Sequence, residues 1–298
     1  MSDVRVRLPG HRAVSQLPVH GWRAVLFALP FVACGVAMAL YAGLGLGSMD
    51  APPELVVLAG AVFALIGGWL LAHGLLGVRR DKRVQAEQVF RPCEPWAWDY
   101  GWDPTGIEAF GSRAPGRWAV CSALAALLLA PFHLAAFDAQ RLTLVLPLWV
   151  AVCDLGLLVA LAYTVRLGIQ RARFGSPRLV FAYFPFRAGE VLEVYLEGLR
   201  GLDPLDRLDC SLRFIEELYE PTGQNGAYET NAYQLYSEDS ALDLRSSGPI
   251  QLRFSLPEAD LSTRLSTRPP RYWELALHAP TKGPDFTARF LLPIYEKA

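Results

Sequence analysis

Four stretches of the chain, residues 23–47, 54–78, 118–137 and 142–165, are apolar almost without interruption, and past Arg23 none contains Lys or Arg. A helix rises ~1.5 Å per residue and the hydrocarbon of a bilayer is ~30 Å thick, so a run of about 20 such residues crosses it. Four transmembrane helices are expected. The first opens at a cation and closes on small residues, as a signal peptide does. It outruns an apolar signal region of about 7–15 residues and a second span follows at once, so it reads as a retained helix.

Beyond residue 174 the pattern changes to strict alternation. "IQLRFSL" places Ile250, Leu252, Phe254 and Leu256 on one face and Gln251, Arg253 and Ser255 on the other, the signature of a half-buried strand. The same period links Leu192, Val194 and Leu196; Leu208, Cys210, Leu212 and Phe214; Trp273, Leu275 and Leu277; and Phe286, Ala288, Phe290 and Leu292. With a strand over 179–184 and a weaker one over 228–236, about seven short strands are expected, punctuated by Gly and Pro turns. The polar stretch 221–248 is expected to be an extended hairpin or loop. Strands without intervening helices point away from a parallel sheet. The fold class expected is an α+β membrane protein: four transmembrane helices followed by a cytoplasmic antiparallel β-sandwich of immunoglobulin or arrestin type.

Composition supports the spans. Charged residues are 19% of the 298 and apolar residues 52%, against about 25% charge in soluble domains. A net charge of -1 argues against a nucleic-acid partner. The cations are unevenly placed. Arg5, Arg7, Arg12 and Arg23, then Arg79, Arg80, Lys82, Arg83, Arg91, Arg113 and Arg117, then Arg166, Arg171 and Arg173 all fall on one side of the four spans. The two turns on the other side, "SMDAPP" and "DAQR", hold only Arg141. The positive side faces the cytoplasm, which puts both termini inside. The organisation expected is a cytoplasmic N-terminal segment 1–21, helices one and two within 22–78, a Trp-rich interfacial loop 79–117, helices three and four within 118–168, and the β-sandwich 174–298.

Chemistry is sparse. Cys34, Cys93, Cys121, Cys153 and Cys210 are widely spaced, as reduced structural thiols are and disulfide or zinc frameworks are not. Phosphate-binding, nucleophile-elbow and His-pair metal motifs are absent from the sequence, so neither cofactor nor metal is expected. Glu216, Glu217, Glu220, Glu229, Glu238 and Asp239 read as a solvated face. Asp154 stands near the midplane of the fourth span, where an ionised carboxylate costs ~2.5–3.5 kcal/mol. It is either interhelical glue or a proton-carrying group. His133 near the outer end of its span and His73 near the inner end of its own are expected at other depths. Small residues such as Gly60, Gly67 and Gly68 suit a compact bundle.

The segment "PWAWDYGW" carries Trp96, Trp98, Asp99 and Trp102, with Asp103 after it. Acids between the rings oppose nucleic-acid stacking; a cation cage is physically open. The mixed spacing suits a turn entering a short helix, with the rings wedged between bilayer surface and cytoplasmic domain.

The spacing Pro95-Trp96-x-Trp98-x-x-x-Trp102-x-x-x-Gly106-Ile107 between a second and third span resembles a group of bacterial four-span inner-membrane proteins of no assigned function. The ending "YWELALHAPTKGPDFTARFLLPIY", with Trp273, Asp285, Phe290 and Pro293, is similar to theirs and loosely to an arrestin-type sandwich. The resemblance implies a bacterial inner membrane and brings no catalytic residues. The function expected is a non-enzymatic scaffold that holds the sandwich at the membrane. Its partners would be membrane lipid and another protein or a second copy. The alternatives are an oligomeric transporter or channel built on Asp154, and an inner-leaflet enzyme using Asp99, Asp103 and Glu108 behind a wall of Trp96, Trp98 and Trp102.

Overall fold

The computed structural model of the chain describes residues 5–11, 14, 21–45, 53–111, 114–136, 145–200, 207–222, 227–243, 250–281 and 283–297. In chain order the elements are β1 (Val6–Arg7), α1 (Trp22–Gly43), α2 (Pro53–Phe90), α3 (Pro95–Trp98), β2 (Gly106–Glu108), α4 (Ala114–Ala136) and α5 (Val145–Phe174). Then follow β3 (Gly175–Phe181), β4 (Phe186–Arg187), β5 (Val191–Leu199), β6 (Arg207–Thr222), β7 (Ala227–Asp243), β8 (Ile250–Ser255), β9 (Arg271–Ala279), β10 (Phe286–Leu292) and β11 (Ile294–Tyr295). Two compact units result, one of Val19–Lys82 with Arg113–Gly168, the other of Met1–Pro18, Arg83–Ser112 and Ile169–Ala298. Of the two short turns expected between spans, 138–141 lies outside the described residues, as does 48–53 except for Pro53, which opens α2.

In the helical unit, three helical stretches are long and apolar enough to cross a membrane: Trp22–Gly43, Val56–Phe90 and Pro147–Phe174. α4 is a further helix of 23 residues. Leu26, Trp69, Leu148, Val152, Leu155 and Val159 are exposed, which suits hydrocarbon around them rather than water. α1 and α2 meet backbone to backbone along glycines seven residues apart. A methyl added at Gly67 would lie 2.7 Å from the Val32 backbone nitrogen, at Gly74 2.9 Å from that of Val25, and at Gly60 2.7 Å from the Gly35 carbonyl oxygen. Only glycine permits this approach, the usual way that membrane helices gain packing energy. α4 and α5 pack antiparallel through Trp118 edge-on to Tyr163 and Phe132 against Trp149, each with ring centroids 5.4 Å apart.

Two helices outrun the expected spans. α2 has 38 residues, ~57 Å at ~1.5 Å per residue. The basic run at 79–83, expected to open a loop, is helical, because residues 79–90 hold strong helix formers and neither Gly nor Pro. Pro92 then disfavours a helical Arg91. α5 continues past 168 through Arg171 and Arg173, until Gly175 adopts a φ of 77°.

The other unit holds a five-stranded sheet in the order β1-β7-β6-β9-β10, a four-stranded sheet in the order β2-β3-β5-β8, and the short parallel pair β11-β4. All pairings in the two larger sheets are antiparallel. The alternation in sequence selects the core. Leu208, Cys210, Leu212 and Phe214 of β6, Trp273, Leu275 and Leu277 of β9, and Phe286, Phe290 and Leu292 of β10 share one apolar cluster with Leu192, Val194 and Leu196 of β5 and Leu252 and Phe254 of β8. Each large side chain so buried contributes about 1.5–3 kcal/mol. The stretch expected as hairpin or loop is largely the β6–β7 hairpin, with strands of 16 and 17 residues.

The five-stranded sheet is covered on its other face too. Ile215, Ala232, Tyr272 and Leu291 form a second cluster under Leu8, Val14, Tyr100, Trp102, Ile107 and Leu265. The covering comes from the N-terminal strap, of which residues 5–11 and Val14 are described, and from the Trp-rich segment. That segment groups with the sheets: β2 pairs with β3, the Ala109 N–H donates to the Pro177 carbonyl (3.1 Å), and that of Phe110 donates to the Arg289 carbonyl (2.6 Å).

Candidate functional site

Pro95 starts α3, a single turn whose C-terminal cap is Asp99. The turn delivers the Asp99 side chain inward, where the residue is 1% exposed. Its Oδ2 accepts the Leu265 N–H at 2.9 Å and the Tyr295 hydroxyl at 3.2 Å, and Oδ1 accepts the Ser266 N–H at 2.6 Å. The Trp102 indole N–H donates to the Tyr295 oxygen at 2.8 Å. Burial raises the Asp99 pKa, against the lowering effect of the bonds from Leu265, Ser266 and Tyr295; burial, then the nearby Asp99, raises that of Tyr295. The Trp96 ring meets Tyr295 at 6.1 Å, edge to face, and the Arg187 guanidinium lies 5.2 Å over Trp96. Asp99, Trp96 and Trp102 thus converge on Tyr295 of β11. They form a clamp between the Trp-rich segment, the 264–267 turn and the last strand.

The remaining two aromatic-segment candidates lie apart from this clamp. Trp98 donates its indole N–H to the Arg91 carbonyl at 3.1 Å, just past α2. Asp103 is exposed. It accepts the Thr105 N–H (2.9 Å) and hydroxyl (2.7 Å) and pairs with Arg178 at 3.1 Å, and the Thr105 backbone bond leads the lowering of its pKa. It fixes the turn into β2, where Gly106 passes so close to β3 that a methyl would lie 2.1 Å from the Leu179 oxygen.

In the helical unit Asp154 meets His133. The Nε2 to Oδ2 distance is 2.9 Å, and His133 Nδ1 lies 2.9 Å from the Leu129 carbonyl oxygen. This corrects the expectation of separate depths. Depth counted from the ends of two spans assumes that the helices end level, whereas the register of α4 on α5 is fixed by the Phe132–Trp149 and Trp118–Tyr163 contacts. The carbonyl can only accept, so Nδ1 carries a hydrogen. One further proton then lies between Nε2 and the carboxylate. The two side chains are 35% and 40% exposed.

A third cluster was missed. Glu216 and Glu217, expected on a solvated face, are 3% and 0% exposed. Arg271 pairs with Glu216, and Glu217 lies under the strap. Its Oε1 accepts the Val14 N–H at 2.6 Å and the Tyr272 hydroxyl at 2.9 Å. Tyr272 lies 3.3 Å from His11 Nε2, and Arg289 Nη1 lies 3.4 Å from His11 Nδ1 and 3.6 Å from Glu274 Oε2. The signal was present in sequence: Ile215, Tyr272 and Leu291 are apolar or aromatic on the face that alternation assigns to solvent, which marks that face as covered. Among the described residues no group of three His, Cys, Asp or Glu is placed to hold a metal ion.

No family model matches the chain, and no curated protein matches it. Among solved structures, the sporulation control protein Spo0M from Bacillus subtilis matches at 11% identity with a TM-score of 0.25. The match covers 40% of this chain and 48% of that one, so the chain spans about half of that protein's length.

Proposed function

We propose that the chain is a four-span protein of a bacterial inner membrane, with α1, α2, α4 and α5 crossing the bilayer and both termini in the cytoplasm. Its two larger sheets form a cytoplasmic β-sandwich that binds another protein and performs no catalysis. The bacterial membrane follows from the resemblance and the orientation from the one-sided cations.

The closure of Asp99 carries this reading. An inner-leaflet enzyme would need that carboxylate open to substrate, yet both its oxygens are engaged by backbone N–H groups and a phenol. Asp103 likewise shapes a turn. Binding falls instead to the sheet edges, β8 and the part of β10 ahead of Arg289, whose carbonyl Phe110 occupies; the outer backbone groups there can accept a partner strand. Photo-crosslinking residues placed at Arg253 and Thr287 in native membranes are expected to give adducts that the same residue at Glu197 does not. Failure to recover any adduct at the edges, a second copy included, would sink the proposal.

The His133–Asp154 bond favours a second reading, proton movement through the helices of an oligomer. Proteoliposomes carrying a pH-sensitive dye would then leak protons with the native chain and not with Asp154→Asn at equal protein level. Equal leaks exclude it.

A further inference from the structure

The buried cluster under the N-terminal strap has a definite donor order. Arg289 Nη1 can only donate, so His11 Nδ1 offers its lone pair and the docked imidazole is neutral, its one hydrogen on Nε2. That hydrogen faces the Tyr272 oxygen, and Tyr272 donates in turn to Glu217. Glu274 is placed differently. Its Oε2 lies 3.6 Å from both His11 Nε2 and Arg289 Nη1, and its Oε1 is buried with no hydrogen-bond partner among the described residues. A bare carboxylate in that position leaves an oxygen uncompensated, whereas a neutral carboxyl costs far less to bury. The His11 and Glu274 side chains are 6% and 4% exposed.

We propose that seating the strap is coupled to a change of proton ownership: His11 gives up a proton to solvent as it is buried and Glu274 takes one up. A free strap thus carries an imidazolium opposite a carboxylate, and a docked strap carries a neutral imidazole opposite a carboxyl. Proton number and net charge balance, and no ion is buried in the exchange.

Among the described residues, the charged and titratable groups around this pair are Arg213 and Glu217 from β6, Tyr272 from β9, Arg289 from β10 and Tyr100 from the Trp-rich segment. Burial, then Arg289 and Arg213, lowers His11 to about 4. Burial raises Glu274 to about 7, with Arg289 and Arg213 opposing and Glu217 adding. A lowered base favours docking above its free pKa of about 6.5 and withdraws that support as pH falls; a raised acid favours docking below about 4.5 and withdraws it as pH rises through 7. The two effects are similar in size and opposite in sign, so the native strap holds almost evenly across this range.

Hydrogen exchange of residues 5–14 in the full-length protein in nanodiscs, corrected for intrinsic rates, tests this. From pH 5 to 8 the native protection is expected to vary by no more than ~3-fold, whereas Glu274→Gln loses on the order of 30-fold toward pH 5 and His11→Gln on the order of 50-fold toward pH 8. Variants as flat as the native chain, or a native profile that drifts tenfold, overturn the proposal. A carboxylic-acid infrared band at pH 6 that vanishes in Glu274→Gln is also expected. Should His11→Gln fail to dock at any pH, the absence of that band overturns the proposal by itself.

Discussion

The Tyr295 hydroxyl donates to Asp99 across 196 residues of chain and accepts from Trp102 in the same place, so one phenol ties the Trp-rich segment to the last strand. Tyr295→Phe keeps the ring that packs on Trp96 and removes only the oxygen. The indole N–H of Trp102 loses its partner, and Asp99 loses one of three. We expect a loss of about 1–3 kcal/mol, read as a lower urea midpoint for tryptophan fluorescence with unchanged secondary structure. An unchanged midpoint would show that the clamp contributes nothing to stability.

Asp99 itself organises the 264–267 turn through two backbone N–H groups. Asp99→Ala orphans both and is expected to cost about 2–5 kcal/mol, with Asp99→Asn intermediate because one oxygen remains. The pH dependence separates charge from geometry. Burial raises this carboxyl's pKa, so its contribution is complete below the unfolded value and declines as pH rises through the folded one. Asp99→Asn should remove that decline from the stability profile, measured by chemical denaturation at several pH values.

Much of this was legible in the sequence. Period two named the inward residues of β5, β6, β8, β9 and β10, because a half-buried strand must alternate and nothing else in the chain does. Run length named the apolar helices for an equally simple reason. What escaped depends on elements distant in sequence. Glu217 reads as a surface acid until the strap that covers it is placed, and His133 reads as interfacial until ring contacts set the register of α4 on α5. The Trp-rich segment shows the same limit. Its composition matches a membrane belt, yet Asp99 and Trp102 turn inward because hydrogen-bond partners await them 166 to 196 residues away.

The glycine seam makes a prediction for the helical unit. A methyl at Gly67 meets the Val32 backbone at 2.7 Å and its side chain at 2.8 Å, closer than atoms can pack without moving a helix. Gly67→Ala is expected to lower stability by about 1–3 kcal/mol. Gly68→Ala, where the added methyl meets nothing within 4 Å, should leave it unchanged. Unfolding in mixed detergent, with both variants beside the parent, distinguishes a packed seam from a generic loss of glycine; equal effects would remove the seam from the account.

The His133–Asp154 contact differs from the seam because a hydrogen bond, unlike close packing, can be replaced. Asp154→Asn can still offer its amide N–H to Nε2 while Nδ1 remains on the Leu129 carbonyl, so a purely structural pair tolerates it. Asp154→Leu cannot, and leaves the imidazole facing an apolar chain. In a double-mutant cycle with His133→Leu, a structural pair gives coupling that Asn largely restores. A proton-carrying pair gives coupling that Asn does not restore, because the shared proton is gone. The second outcome would favour proton movement over glue, and the absence of coupling in either cycle would show that the contact contributes to neither.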